Sequence, residues 1–344
     1  MIEWEKIEDK VTALGESEMQ MFRFLLDKPA GVILTVETDK MLAKLLAEAD
    51  LVYMDGDIVV IPPDVRETYE SGWDDAAELK WKKRNWMYKC IEAGKYLYGV
   101  MTWDVLGRLF RLAYPDTDAA EVCALFDSTP ANSQWFTERD GKLVLNGFEQ
   151  NDYYKYLEGT IQGDIDFYIP TREEVEELYE QGCLVSRESH AKLRDFIAET
   201  FGCDKDIAAF KVHELYESVN NHARVNDAAE AFAADESGRF SFPSDEVEVK
   251  FIERYMEMSR ECRIRDNRGH DYYEMVALMS LKNSGASGRS FGAGLADGAK
   301  GGIAGSSTNK AAGAQVKRVK IGCNDPCNYL FNNTIFYSLN CRTR

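Results

Sequence analysis

Apolar residues along this chain follow two rhythms, one helical and one extended. Ile7, Val11 and Leu14, then Met21, Phe22, Leu25 and Leu26, fall at helical spacing, which predicts a helix over Met1–Leu26. Pro29-Ala30-Gly31 breaks it, and Val32–Val36 is a short β-branched run. A second helix is expected over Lys40–Ala49, capped by Thr38 or Asp39, with Leu42, Leu45 and Leu46 on one face. From Leu51 to Ile61 two β-type runs flank Asp55-Gly56, a two-residue hairpin signal, and Pro62-Pro63 ends them.

The order then recurs. Lys80–Ala93, Trp103–Tyr114 and Ala119–Asp127 read as helices, and Gln134–Leu145 as a hairpin with Asp140-Gly141 at its tip. An offset of 85 positions pairs Arg23 with Arg108, Asp55-Gly56 with Asp140-Gly141, Val59 with Val144, and Tyr69 with Tyr154. That is the signature of a candidate internal repeat. Helices followed by a hairpin is the order of a winged-helix unit. Each hairpin keeps two readings, a wing or a small sheet that covers a helical core.

Beyond Ile169 nearly everything is helix-patterned. Thr171 with Glu174 forms a capping box, followed by Val175, Leu178 and Tyr179 as an apolar stripe. Further helices are expected over Ser189–Phe201, Asp204–Asn220, Val225–Ala234 and Ser244–Cys262, with short loops that suit a bundle. The expected fold class is therefore mainly α with two small β-hairpins (α+β), as tandem winged-helix-like units followed by a helical bundle. Residues 1–72 form the first unit, 80–160 the second and 165–283 the helical domain. Ser284–Gly313 is rich in Gly, Ala and Ser with almost no large apolar side chain. Such a segment cannot offset chain ordering by burial, so 284–315 is expected to be a flexible linker. Residues 316–344 form a tail.

Composition narrows the class. Seventeen Tyr and seventeen Phe supply enough bulk for a core. A net charge of −18 weighs against gripping phosphate backbones with the whole body. The first residues have neither a basic nor an apolar leader region, and no run of about eighteen apolar residues exists. The expectation is a cytoplasmic protein with no membrane partner. Cys90, Cys123, Cys183, Cys203 and Cys262 are singletons on helical patterns, as buried free thiols in a reducing compartment would be. Lys80, Lys82, Lys83, Arg84 and Lys89 interleave with Trp81, Trp86 and Tyr88. Such a mixture can stack bases, but the spacing favours an amphipathic helix with a solvated basic face. Glu173, Glu174, Glu176, Glu177 and Glu180 are read as a solvated acidic face at a helix start.

Two stretches carry recognisable motifs. Ile321-Gly322-Cys323-Asn324-Asp325-Pro326-Cys327 resembles the opening of the SEC-C motif, a short zinc-binding module at the C-terminus of SecA and of many other bacterial proteins. The family form supplies a Cys-x-Cys pair and a second pair about ten residues on, four soft ligands for tetrahedral zinc. Cys327 matches the first ligand. Tyr329 stands at the second, Leu330–Thr334 replaces the Gly-Ser-Gly-Lys-Lys core, and the last ligand pair is missing. Cys323 and Cys341 are the other tail thiols, and three thiolates lack a fourth ligand. The resemblance thus implies a degenerate SEC-C tail, read as having lost its zinc, with a site rebuilt from Cys323, Cys327 and Cys341 as the alternative.

The second stretch, Asp266–Glu274, looks like the Asn-Arg-Gly-His turn of bacterial proteins that carry a C-terminal SEC-C motif. Asn267, Arg268, Gly269, His270 and Glu274 match. Gly269 suits a left-handed turn that closes one helix, and Asp271 suits the cap of the next. Arg268 and His270 are the candidate ligand-contacting side chains. Lys317, Arg318 and Lys320 make the tail locally basic, placed to meet an anionic partner or the acidic body.

No phosphate-loop, dinucleotide-loop, zinc-protease or nucleophile-elbow motif occurs, and the four His are scattered. No catalytic residue is therefore named. The reading is a non-catalytic binding or adaptor protein with a protein partner. The alternative is a nucleic-acid-binding regulator, which requires a contiguous basic face on a helix preceding either hairpin.

Overall fold

The computed structural model describes residues 3–130, 133–163, 165–235 and 238–283. The linker and tail, with Cys323, Cys327, Cys341, Lys317, Arg318 and Lys320, lie outside the described residues. Among those described there are fourteen helices and two three-stranded antiparallel sheets, the expected mainly helical class.

The first helical stretch is two helices, α1 (Trp4–Thr12) and α2 (Glu16–Leu26), where the periodicity predicted one. Gly15 is extended, and its N–H is bound by Glu18, so the chain restarts there. Strand β1 (Val32–Ile33) leads to α3 (Glu37–Glu48), then β2 (Tyr53–Asp55) and β3 (Ile58–Val60). The two-residue turn is Gly56-Asp57, one position later than expected, because Asp55 pairs with Ile58. Gly56 takes the positive φ of 60° that this turn requires. Pro62-Pro63 does end the hairpin, but Pro63 also opens α4 (Pro63–Gly72), since a first-turn proline forgoes no helical hydrogen bond.

Helix α5 (Asp75–Leu97) is the spine of the molecule. Asp74 caps it through the Ala77 N–H at 2.9 Å. It packs on α1 toward the first unit and on α9 (Arg172–Gln181) beyond the second. Strand β4 (Val100–Met101), α6 (Trp103–Arg111), α7 (Ala119–Asp127), β5 (Phe136–Arg139) and β6 (Lys142–Leu145) complete the second unit. Its turn is Asp140-Gly141, both at positive φ.

The two sheets share an order, β1-β3-β2 and β4-β6-β5. Val59 pairs with Val32 and Val144 with Val100, so these two valines do occupy matching positions. Tyr69 and Tyr154 both lie just after their hairpins and both are buried. Arg23 and Arg108 do not match. Arg23 ends the helix before the first strand and Arg108 sits in the helix after it. The single offset fails because the second unit has two helices between its first two strands and the first unit has one.

After β6, a short helix α8 (Tyr153–Tyr156) runs into a wider turn at Leu157–Gln162. The remaining helices are α10 (Glu188–Phe201), α11 (Lys205–Asn220), α12 (Val225–Ala233), α13 (Asp245–Glu261) and α14 (Tyr272–Asn283). Thr171, Asp204 and Ser244 cap α9, α11 and α13 as their side-chain chemistry dictates. The buried side chains form three main clusters. One surrounds Phe22 and Leu46, one surrounds Met87 and Phe110, and one surrounds Tyr216 and Phe251. Val175 and Leu178 of α9 join the middle cluster, so α9 belongs by packing to the spine helix.

Most of the basic row of α5 is tied to neighbouring helices, while Lys82 stays exposed and pairs with Glu78 of its own helix. Lys80 pairs with Glu8 and Asp9, Lys83 with Glu121, Arg84 with Asp9, and Lys89 with Glu16. Those acids sit on α1, α2 and α7, so the lysines join helices across units. The acidic row of α9 is likewise engaged. Glu174 accepts from Arg187 at 3.0 Å, and Glu177 accepts from the Ser186 hydroxyl at 2.7 Å. No described helix is long and apolar enough to cross a membrane.

Candidate functional site

Two places stand out when the side chains are followed upward from the backbone. The first is the turn between α13 and α14. Cys262 and Ile264 are extended, Arg265–Asn267 makes one 3₁₀ turn, and Arg268 and Gly269 both take positive φ, 53° and 80°. At Gly269 an added Cβ would meet Tyr98 at 3.2 Å, so the close approach also calls for glycine. Arg268 holds its left-handed backbone because both ends of the residue are tied. Its carbonyl accepts from the Tyr168 N–H at 3.0 Å, its guanidinium bonds the Ile165 carbonyl, and it stacks on Phe167 with Cζ 4.5 Å from the ring centre. Asp271 caps α14 by accepting from the Glu274 N–H at 2.9 Å.

Arg263 is the centre of this turn. It is 3% exposed, lies 3.5 Å over the Tyr168 ring, and is bonded to Glu274. Glu174 and Asp271 each approach it at 3.7 Å. Burial alone would raise the Glu274 carboxyl, but the His270 hydrogen bond and the Arg263 charge outweigh it and hold the group below the usual carboxylate range. Burial pushes Asp271 the other way. Each ring nitrogen of His270 faces an acceptor, Glu274 at 3.1 Å and the Asp166 carbonyl at 2.8 Å. Asn220 of α11 completes the clamp, donating to the Arg263 carbonyl at 3.3 Å and accepting from the Arg265 N–H at 3.2 Å. Asp266 is buried between His222 Nε2 at 2.8 Å and the Tyr153 hydroxyl at 3.4 Å.

Arg268 and His270, the candidate ligand-contacting side chains, both bond groups within the fold. Arg268 bonds Gln162 and the Ile165 carbonyl, and His270 bonds the Asp166 carbonyl and Glu274, so this turn is a polar clamp joining the helical bundle to the chain that leaves the second unit. Glu274 and Glu174 both pair with Arg263, and Glu174 also pairs with Arg187. Among the described residues no group of three or more His, Cys, Asp or Glu side chains could hold a metal ion. In the tail, one family ligand and at most two further thiols do not make a four-ligand zinc set.

The second place was missed by sequence reasoning. The outer face of the first sheet carries Ile33, Tyr53 and Ile58, which are 67%, 62% and 49% exposed. Ile33 and Ile58 are direct cross-strand partners. Val36 follows β1, and Met41 and Leu45, four residues apart on α3, add a second exposed apolar ridge. Lys40 of α3 bonds Asp57 at the hairpin tip at 2.9 Å, which holds the start of α3 against the wing-like turn. The charged rim is mostly acidic. Residues 24–58 contain seven Asp or Glu against three Lys. A signal was present: Val32-Ile33 and Ile58-Val59-Val60 are unbroken apolar runs where a half-buried strand alternates.

No family model matches this chain, and no curated protein and no solved structure matches it.

Proposed function

We propose that the chain is a non-catalytic binding protein that docks a protein partner on the apolar face of its first unit. One observation carries this reading: Ile33, Tyr53 and Ile58 are exposed together on one sheet face, and Val36, Met41 and Leu45 are exposed in the segment that follows β1. Contiguous exposed apolar side chains with a polar rim are what protein interfaces look like before the partner arrives. The buried clamp around Arg263 then has a structural role, fixing the bundle to the chain that leaves the second unit.

The nucleic-acid reading has one observation in its favour. The second unit follows the element order of a winged helix, with a helix, a strand, two helices and a hairpin. Surface charge opposes it. The helices before the hairpins, α3 and α7, carry Glu37, Glu48, Glu121 and Asp127, and Lys40 and Lys83 are paired with acids. A face of that sign repels phosphate. The tail, in this reading, is a SEC-C remnant without metal. Elemental analysis of the purified full chain, beside a Cys327→Ser variant, is expected to find no zinc in either.

The test of the binding function places a photo-reactive amino acid at Tyr53, with Glu199 on the exposed side of α10 as control. Irradiation in the native cell is expected to give a discrete protein adduct at position 53 alone. Equal labelling at both positions, or none at 53, contradicts the proposal.

A further inference from the structure

The sequence contains a single Asn-Gly step, Asn146-Gly147, and it lies where β6 ends. Asparagine before glycine is the pairing most prone to cyclise. No side chain on the second residue blocks attack of its nitrogen on the asparagine amide carbon. Both residues are exposed. Gly147 has φ 96°, and apart from its chain neighbours nothing stands within 4 Å of the place a Cβ would take. The attacking nitrogen is therefore unscreened.

Three neighbours hold the reacting atoms. The Gly147 N–H donates to Glu149 Oε2 at 2.6 Å. Asn146 Nδ2 donates to the Gln134 carbonyl at 2.9 Å, and the Thr137 hydroxyl donates to Asn146 Oδ1 at 2.9 Å. A carbonyl can only accept, so Gln134 fixes which end of the Asn146 amide faces it and leaves Oδ1 to Thr137. A carboxylate thus reaches the proton that the nucleophile must lose. A hydroxyl donor sits on the oxygen that becomes negative when the amide carbon is attacked.

We propose that Asn146-Gly147 is a self-modification site, at which the folded chain converts Asn146 to aspartate and isoaspartate. The Gly147 nitrogen attacks Asn146 Cγ and forms the new C–N bond while its proton passes to Glu149. The tetrahedral carbon then expels Nδ2, which takes up that proton and leaves as ammonia, and a cyclic imide remains. Water opens the imide at either carbonyl. Opening at Cγ gives aspartate, and opening at the main-chain carbon routes the backbone through Cγ as isoaspartate. No electron is transferred, and solvent water is the only co-reactant. Asn146 ties the start of β5 to the end of β6 through Gln134 and Thr137. Conversion to aspartate sets a carboxylate oxygen against the Gln134 carbonyl in place of a donor, so that tie is lost. The second hairpin thereby carries a chemical record of the age of the chain. This site is independent of the docking function.

The test ages the purified full chain at neutral pH and maps its peptides by mass spectrometry, with fragmentation that separates aspartate from isoaspartate. Both products are expected at position 146, forming at least about tenfold faster in the folded chain than in the same chain unfolded in guanidinium chloride. In Glu149→Gln the side chain still accepts the N–H but cannot take its proton. That variant and Thr137→Val should each slow the folded reaction severalfold, with the hydrogen-exchange protection of the β6 amides unchanged. A folded rate equal to or below the unfolded one would mean that Gln134 and Thr137 lock the amide, and would overturn the proposal. Aspartate without isoaspartate would show direct hydrolysis and overturn it equally, as would an unaltered rate in Glu149→Gln.

Discussion

His190 of α10 gives the sharpest quantitative prediction. Its side chain is 2% exposed, its ring lies 5.7 Å from that of Tyr216, and neither ring nitrogen has a hydrogen-bond partner. Burial, aided by the positive charge of Arg187 and by His213, pushes its pKa down from 6.5 to about 4. In the unfolded chain the imidazole takes up its proton near pH 6.5. The folded state therefore binds fewer protons between pH 6.5 and about 4, and stability is lost as pH falls through that window. The full loss is about 3 kcal/mol, of which about 2 kcal/mol has accrued at pH 5. His190→Leu removes the titration and two unmet polar atoms at similar volume, so at pH 8 it should be neutral or stabilising. All six Trp precede residue 136, so tryptophan fluorescence is blind to the bundle. Hydrogen exchange of the α10 and α11 amides reads it directly. The opening free energy of the parent should fall by about 2 kcal/mol from pH 8 to pH 5, and the variant should lose much less. An equal fall in both proteins refutes the reasoning, because carboxylates alone would then account for it.

Other positions give further tests. Arg263→Met strands Glu274, Asp271 and Glu174 without their shared cation, and should cost about 3–5 kcal/mol in urea unfolding read by far-UV circular dichroism. Adding Glu274→Gln should recover part of that loss, and strict additivity would show that the two do not interact. Glu274 has a depressed carboxyl, so its contribution is present above its unfolded pKa and lost as pH falls through the lower folded value. In Arg263→Met the acid transition should therefore move to higher pH. Gly182→Ala places a Cβ 2.7 Å from His213 at φ 69°, and should destabilise the α9 end by at least about 1 kcal/mol, measured by local hydrogen exchange.

Much of the fold was legible because its signals are local. The capping box at Thr171 and Glu174, the caps Asp204 and Ser244, and the hairpin at Asp140-Gly141 involve residues within a few positions of each other. The failures came where tertiary contacts decide. The spacing of Lys80, Lys83 and Lys89 is that of a solvated face, and only the acids of α1, α2 and α7 convert it to a set of ties between units. Gly15 divides one apolar rhythm into two helices because Glu18 reaches back to its N–H. For the site, Arg268 and His270 were found but their direction was not, since the acceptors at Ile165 and Asp166 lie about a hundred residues away. The apolar sheet face was legible only as a broken alternation in strands of two and three residues, too short for periodicity to assign a side.

The central claim is that this face binds protein. Its most direct test is the adduct yield of the photo-reactive residue at position 53, in the parent and in Ile33→Asp/Ile58→Asp. Both isoleucines are exposed, so the double substitution should leave the fold intact and abolish the adduct. An adduct that survives both charges at full yield would contradict the account.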